Sequence, residues 1–368
     1  MKKSLLKCIL VLMFSLSTAF ASTWPKNVTD ILGNTMTLKE PPRRILLASG
    51  FNFVSLTFVH EDPASLLVGW GSDLKKFDAA TYDLYRQAFP KLEKLATIGS
   101  GNGNELSKEL IFSLNPDLVI FDAWQAPSTE QLAGMLRKSG MNVAYIDFYQ
   151  SPFKHTIPSI RLLGQLLDRE EKAEKLATFY QSHLDTLTSR LSTPNLPQPK
   201  VLLHAYPGMW ACCWSSGSGG LGEYISLFKG VNIGAAKFPT ANGGQLNLEY
   251  IIQQNPDIYI ATGHSGVSKT EALPIGTGID AKLAQAQLNK VISAPGLSTL
   301  KAVKEGHVYG FWNYFSSSPF NIVGMEVMAK WLQPELYKDI NPQLTMDEMN
   351  KTFLPVPLKG TYWITLQK

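Results

Sequence analysis

The chain has 368 residues, 45% of them apolar and 11% aromatic, enough to bury one large or two modest cores and to exclude intrinsic disorder. Only 17% are charged, and 22 prolines with 28 glycines mark many element ends, which excludes a coiled coil. The formal net charge is +4, and part of it belongs to the first residues.

Lys2, Lys3 and Lys7 precede an apolar run over 8–16, followed by Ala19-Phe20-Ala21. That is the pattern of a secretory signal peptide, residues 1–21, cleaved after Ala21. Cleavage removes three lysines and no acid, leaving +1, so charge gives no reason to expect nucleic acid as a partner. Cys8 lies within the apolar run rather than just after its end, which argues against a lipid anchor. No later stretch reaches the roughly 18 continuous apolar residues of a spanning helix, so the expectation is a soluble periplasmic protein.

Residues 28–38 read as a hairpin turning at Gly33-Asn34, ended by Pro41-Pro42. Short apolar runs at 45–48, 67–69, 118–121 and 143–146 alternate with helix-length segments at 53–58 and 129–138, which predicts a parallel sheet covered on both faces. From Pro158 to Leu191 the spacing becomes helical, with Ile160, Leu163, Leu167, Leu176, Tyr180, Leu184, Leu187 and Leu191 near one stripe. A helix of that length spans roughly 50 Å and reads as a strut between two lobes. Ser192-Thr193-Pro194-Asn195-Leu196-Pro197-Gln198-Pro199 follows as a linker, and a second strand series opens at Val201. The expected organisation is an N-terminal α/β lobe over 22–156, an interlobe helix over 157–192 and a C-terminal α/β lobe over 193–368. Each lobe has a mostly parallel sheet flanked by helices.

A repeat supports two lobes of common design. Residues 105–121 match 245–261 at a constant offset of 140, sharing Leu-x-x-Glu-x-Ile-x-x-x-Asn-Pro-Asp. In each copy Ser107 or Asn247 caps a short helix, Glu109 or Glu249 occupies its first turn, Asn-Pro-Asp stops it and a buried strand follows.

The glycines at 99–103 and 217–220 lack dinucleotide or P-loop spacing, so they read as tight turns and points of close backbone approach. No nucleophile elbow and no His-Glu-x-x-His stands out, although triad partners can be distant in sequence, which leaves an exported hydrolase as a reading from another class. Among the six histidines, His204 and His264 fall at or just beyond strands of the second lobe, where ligand loops converge. They are candidate polar or coordinating contacts. Trp124, Tyr149, Tyr206, Trp210, Trp214, Trp312 and Tyr314 all fall in post-strand loops and are candidate cleft walls for a flat or partly apolar ligand. No arginine follows Arg190, which disfavours a strongly anionic ligand such as a tri-catecholate. Cys212 and Cys213 are the cysteines that survive cleavage. Neighbouring Cα atoms stand about 3.8 Å apart across a trans peptide, below the roughly 4.4 Å floor of an ordinary bridge. Two buried thiols and a strained disulfide shaping a ligand loop are both open readings.

The hairpin, Pro42-Arg43-Arg44-Ile45, the two Asn-Pro-Asp segments and Ala302-Val303-Lys304-Glu305-Gly306-His307-Val308-Tyr309 together resemble the periplasmic binding proteins of ABC importers for iron-siderophores, haem and vitamin B12. The resemblance implies two α/β lobes joined by one long rigid helix, a ligand held in the cleft, no catalysis and a monomer. It also implies a partner, the permease dimer in the inner membrane, with Glu109 and Glu249 as the docking acids. Iron would arrive within a small-molecule chelate, most naturally a ferric siderophore, with no intrinsic cofactor and no protein metal ligand required. Haem, a corrinoid, or direct binding of Zn²⁺ or Ni²⁺ are the alternatives. Residues 313–319 and 353–363 extend past the usual core of that family, so ligand identity does not transfer.

Overall fold

The computed structural model describes residues 24–101, 103–209, 212–239, 243–266 and 272–367. The expected signal peptide therefore lies outside the described residues. No helix among them is long and apolar enough to cross a membrane.

Strands β1 (Lys26–Thr29) and β2 (Thr35–Leu38) form the expected antiparallel hairpin, with Val28 opposite Met36. Asp30 holds its turn by accepting from the Leu32 and Asn34 amides, and its second oxygen accepts from the Tyr145 amide, which fixes the hairpin to the first lobe. That lobe is a five-stranded, wholly parallel sheet in the order β5-β4-β3-β6-β7, built from β3 (Ile45–Leu47), β4 (Leu67–Trp70), β5 (Ala96–Thr97), β6 (Leu118–Asp122) and β7 (Asn142–Ile146). Both faces are covered, so β6 is buried at every position and reads as a continuous apolar run until its last residue.

The second lobe holds β8 (Lys200–Ala205), β9 (Trp214–Ser216), β10 (Val231–Asn232), β11 (Gly243–Gln245), β12 (Ile258–Gly263), β14 (Val308–Trp312) and β16 (Trp363–Thr365). Its main order is β11-β9-β8-β12-β14-β16, with β10 on β8. β13 (Gly276–Thr277) and β15 (Gly360–Thr361) make a separate small pair. The C-terminal extension is part of this lobe, because β16 closes the sheet edge antiparallel to β14.

The repeat is realised in both lobes. Ser107 and Asn247 accept from the amides of Leu110 and Tyr250, capping helices Lys108–Leu114 and Leu248–Gln254, and Asn115 and Asn255 end them in the left-handed region at φ 44°. The following aspartates then brace the neighbouring strand. Asp117 accepts from the Arg43 and Arg44 amides, and Asp257 accepts from the Lys200 amide at 2.8 Å. Asn-Pro-Asp is thus a device that stops a helix and pins the entry of an adjacent parallel strand.

The segment expected as one helix over 157–192 is two. Helix Pro152–Leu167 starts earlier, with Pro152 rather than Pro158 in its first turn, and ends at Asp168, which turns the chain at φ 56°. Glu170 and Glu171 then open a second helix, Glu170–Ser189, at its positive end. The two helices pack side by side, close enough that a Cβ on Gly164 would lie 2.4 Å from that of Ala173. The first belongs to the N-terminal lobe. The second, about 30 Å long, packs on helix Asn52–Val59 of the first lobe and helix Asn321–Leu332 of the second, and is the single long helix joining the lobes.

Candidate functional site

The carboxyl ends of both sheets face one another across a cavity of about 630 Å³, within the range of small-molecule sites. Its floor in the first lobe is polar. Asp73, 7% exposed, accepts from Ser49 Oγ and from the Gly50 amide at 2.6 Å. The glycine-rich loop serves this carboxylate: Gly101 sits at φ 87° and a Cβ there would lie 2.4 Å from Asp73 Cγ, so only glycine fits. Asp122, the last residue of β6, accepts from Asn52 Nδ2 at 3.1 Å. Burial, with the nearby Asp73 charge adding to it, pushes the Asp122 carboxyl up to about 8. Burial also raises Asp73. Glu105 and Lys76 complete the charged lining, which among the described residues contains no arginine and no histidine.

The walls are aromatic and come from both lobes. Trp124, Tyr149, Tyr206, Trp214 and Tyr314 line the cavity, joined by Phe51 and Phe77. Tyr206 follows β8 in the left-handed region at φ 48°, costly for a non-glycine residue and the turn that carries its ring to the cleft. Tyr314 stacks on Phe51 across the lobes, ring centroids 3.8 Å apart. Burial pushes the Tyr149 hydroxyl up to about 12 and raises Tyr206 and Tyr314 further, so all three stay neutral donors. Trp214 is 41% exposed, an unusual placement for an indole and one that a ligand would cover.

Three candidates fall elsewhere, and a fourth lies outside the described residues. Trp312 is not on a loop: β14 runs two residues past Gly310, and its indole packs in the core on Phe315 and Tyr362, with Gly276 leaving room for it. His204 points away from the cleft, because side chains alternate along β8 and it is Leu203 and Ala205 that face the cavity. Its Nδ1 lies 2.7 Å from the Tyr259 hydroxyl, and burial lowers its pKa to about 4. His264 stands behind the wall, with ring centroids 5.4 Å from Tyr206 and 6.2 Å from Tyr314. Its Nδ1 accepts from the Gly266 amide, and burial lowers it to about 4 as well. Trp210 lies outside the described residues. The acidic floor was absent from the sequence-derived candidates. Its signal was available in Asp122, a lone carboxylate ending an otherwise apolar strand.

Glu109 and Glu249 are exposed in the first turns of the two repeated helices. Cys212 and Cys213 are joined as a disulfide across a cis peptide, with Cα atoms 3.0 Å apart.

The family model described as "Periplasmic binding protein" matches residues 58–313. No curated protein matches the sequence. Among solved structures, the TroA-like periplasmic binding protein FepB from Veillonella parvula is 24% identical with a TM-score of 0.85, covering 93% of this chain and 100% of its own. CeuE from Helicobacter pylori, solved as a Ni-His complex, is 18% identical with a TM-score of 0.65, covering 91% and 96%. The molybdate-bound MolA of Haemophilus influenzae is 17% identical with a TM-score of 0.67, covering 91% and 99%. These likenesses carry the fold, and the family match spans well over half of the sequence: the chain belongs to the periplasmic binding protein family of ABC importers.

Proposed function

We propose that this protein captures an iron chelate, a ferric siderophore of neutral or cationic charge, in the interlobe cleft and delivers it to an ABC permease. Members of the family bind and hand over substrates without transforming them. The observation that carries the ligand class is the cavity lining: aromatic walls from both lobes over a floor with three carboxyl groups and one lysine. Aromatic faces suit a large chelate and receive cations. An anionic catecholate would find no arginine fork to hold it among the described residues of the lining. Among the described residues the lining has no histidine or cysteine with which to ligate a bare ion, which favours a metal that brings its own chelator. Haem is the second reading, favoured by the cleft tyrosines as axial-ligand candidates and opposed by a lining that, among the described residues, offers no arginine to pair with its propionates. Glu109 and Glu249 are the proposed contacts to the two halves of the permease.

Tryptophan fluorescence of the mature, oxidised protein, titrated with a ferric hydroxamate, a ferric catecholate, haem, cobalamin and free Ni²⁺, tests this reading. Saturable quenching by the hydroxamate is expected, with Trp124 and Trp214 as reporters. Saturable binding of the catecholate, of haem, or of free Ni²⁺ in place of the hydroxamate would overturn it.

A further inference from the structure

On the face of β8 opposite the cleft, His204 and the cysteine pair converge. One ligand atom from each of His204, Cys212 and Cys213 lies within 4.8 Å of the others, the only such group of three among the described residues. A cavity of about 260 Å³ opens beside His204 and Cys212, walled by Pro207, Gly208 and Lys290. None of these residues lines the ligand cleft.

We propose that this is a second, redox-gated site for a single soft metal cation, Zn²⁺ or Cu⁺ in class. In the oxidised form both sulfurs are committed to each other and only one imidazole remains. A dithiol reductant opens the bridge: two electrons and two protons convert the disulfide to two thiols, and the reductant leaves as its own disulfide. Metal binding then displaces the thiol protons, giving two thiolates and one imidazole with a coordination position left toward the side cavity. Three features of the oxidised structure prepare the site. His204 is buried, so its imidazole is shielded from bulk water beside the cysteine pair. The Tyr259 hydroxyl holds Nδ1 at 2.7 Å, which leaves Nε2 for the metal and orients the ring as an outer-shell partner does. Thiolate and imidazole donors are the set that selects zinc or copper over the hard cations.

The site is joined to the cleft through its chain neighbours, Leu203 and Ala205 on either side of His204 and Trp214 after Cys213. Trp214 follows Cys213 directly and lines the ligand cavity, while the Cys213 amide donates to Leu246 O at 3.1 Å and holds the strand in place. Opening the bridge and filling the site is therefore reported by Trp214 without any ligand in the cleft.

The test uses the mature protein reduced anaerobically with a phosphine, freed of reductant, and titrated with Co²⁺ as a spectroscopic probe and with Zn²⁺ against a chromogenic chelator. One equivalent of Co²⁺ with a near-ultraviolet thiolate charge-transfer band is expected in the reduced protein and none in the oxidised. Tyr259→Phe should weaken Zn²⁺ affinity by about tenfold. His204→Gln should weaken it more, and Cys212→Ser with Cys213→Ser should abolish the band. Oxidised-state circular dichroism and melting of each variant report folding, and Cys212→Ser alone serves if the double variant does not fold. Absence of the band in protein whose two thiols titrate as free, a bridge that the phosphine does not open in the folded protein, or His204→Gln binding as well as the parent would each overturn the proposal. None of these outcomes bears on the chelate titration of the cleft.

Discussion

Asp122→Asn isolates the consequence of placing a carboxyl at the end of an apolar strand. The folded protein holds this proton up to about pH 8, whereas an unfolded carboxyl releases it near 3.8. Between those values the folded state binds more protons than the unfolded, so stability falls as pH rises. Each pKa unit corresponds to about 1.36 kcal/mol, and because part of the shift comes from the charge of the nearby Asp73, whose own carboxyl is raised by burial, a loss on the order of 2 kcal/mol is expected between pH 5 and pH 7. The amide oxygen created by the substitution still accepts from Asn52, so packing is preserved. The buried, neutral His204 and His264 act in the opposite sense, lending stability above their unfolded value of 6.5 that is lost as pH falls toward 4. They are common to both proteins and cancel in the difference. Differential scanning calorimetry of ligand-free protein should therefore show Asp122→Asn melting above the parent, by about 3–5 °C more at pH 7 than at pH 5. A cationic chelate should displace the same proton, so the parent's affinity rises from pH 6 to pH 8 and that of the variant does not. A melting difference independent of pH, or a parent that is the more stable at pH 7, would refute the reasoning.

Glu109→Arg with Glu249→Arg should abolish chelate uptake in cells while the purified protein keeps its ligand affinity, and normal uptake would remove these acids from permease docking. Asp117→Ala removes the acceptor for the Arg43 and Arg44 amides at the entry to β3 and should cost about 1–3 kcal/mol in urea unfolding, with Asp257→Ala behaving alike at β8. Gly164→Ala drives a methyl into Ala173 where the two helices touch and should cost about 1–3 kcal/mol, an effect absent if the helices are free to part. Small-angle scattering should show little change in radius of gyration on chelate binding, because buried bonds such as Thr81 to Thr277 and Asn321 to Thr156 already fasten the lobes. A large closure would count against that.

The sequence was most legible where one local rule acts alone. The hairpin, the alternating strands and the repeated cap–helix–Asn-Pro-Asp units each follow from spacing and capping, and all were placed within a few residues. The expected single helix is two in the structure, and the spacing hides the break because the apolar stripe continues across it: Leu163 and Leu167 face a core on one side of Asp168, and Leu176 and Tyr180 face it on the other. The acid pair Glu170-Glu171 after Asp168-Arg169 was the overlooked sign of a new helix start. Trp312 and His204 were misplaced for a different reason. Whether a residue near a strand end faces a cleft depends on where the strand stops and on the parity of its side chains, and a one-residue shift reverses the answer.

The proposed docking acids and the cleft share one geometric cause. In each lobe the capped helix runs back beside its strand, so the helix amino terminus lies at the strand's carboxyl end, where the ligand cavity is. In the first lobe Glu105 lines the cavity and Glu109 follows it by four residues on the rim. In the second, cavity-lining Trp214 pairs with Gln245 across β9 and β11, and Glu249 lies four residues on. The offset of four is the same in both, because the repeat that fixes one also fixes the other. In the proposed reading, a permease seated on the two acids would then lie over the mouth of the cleft that holds the ligand.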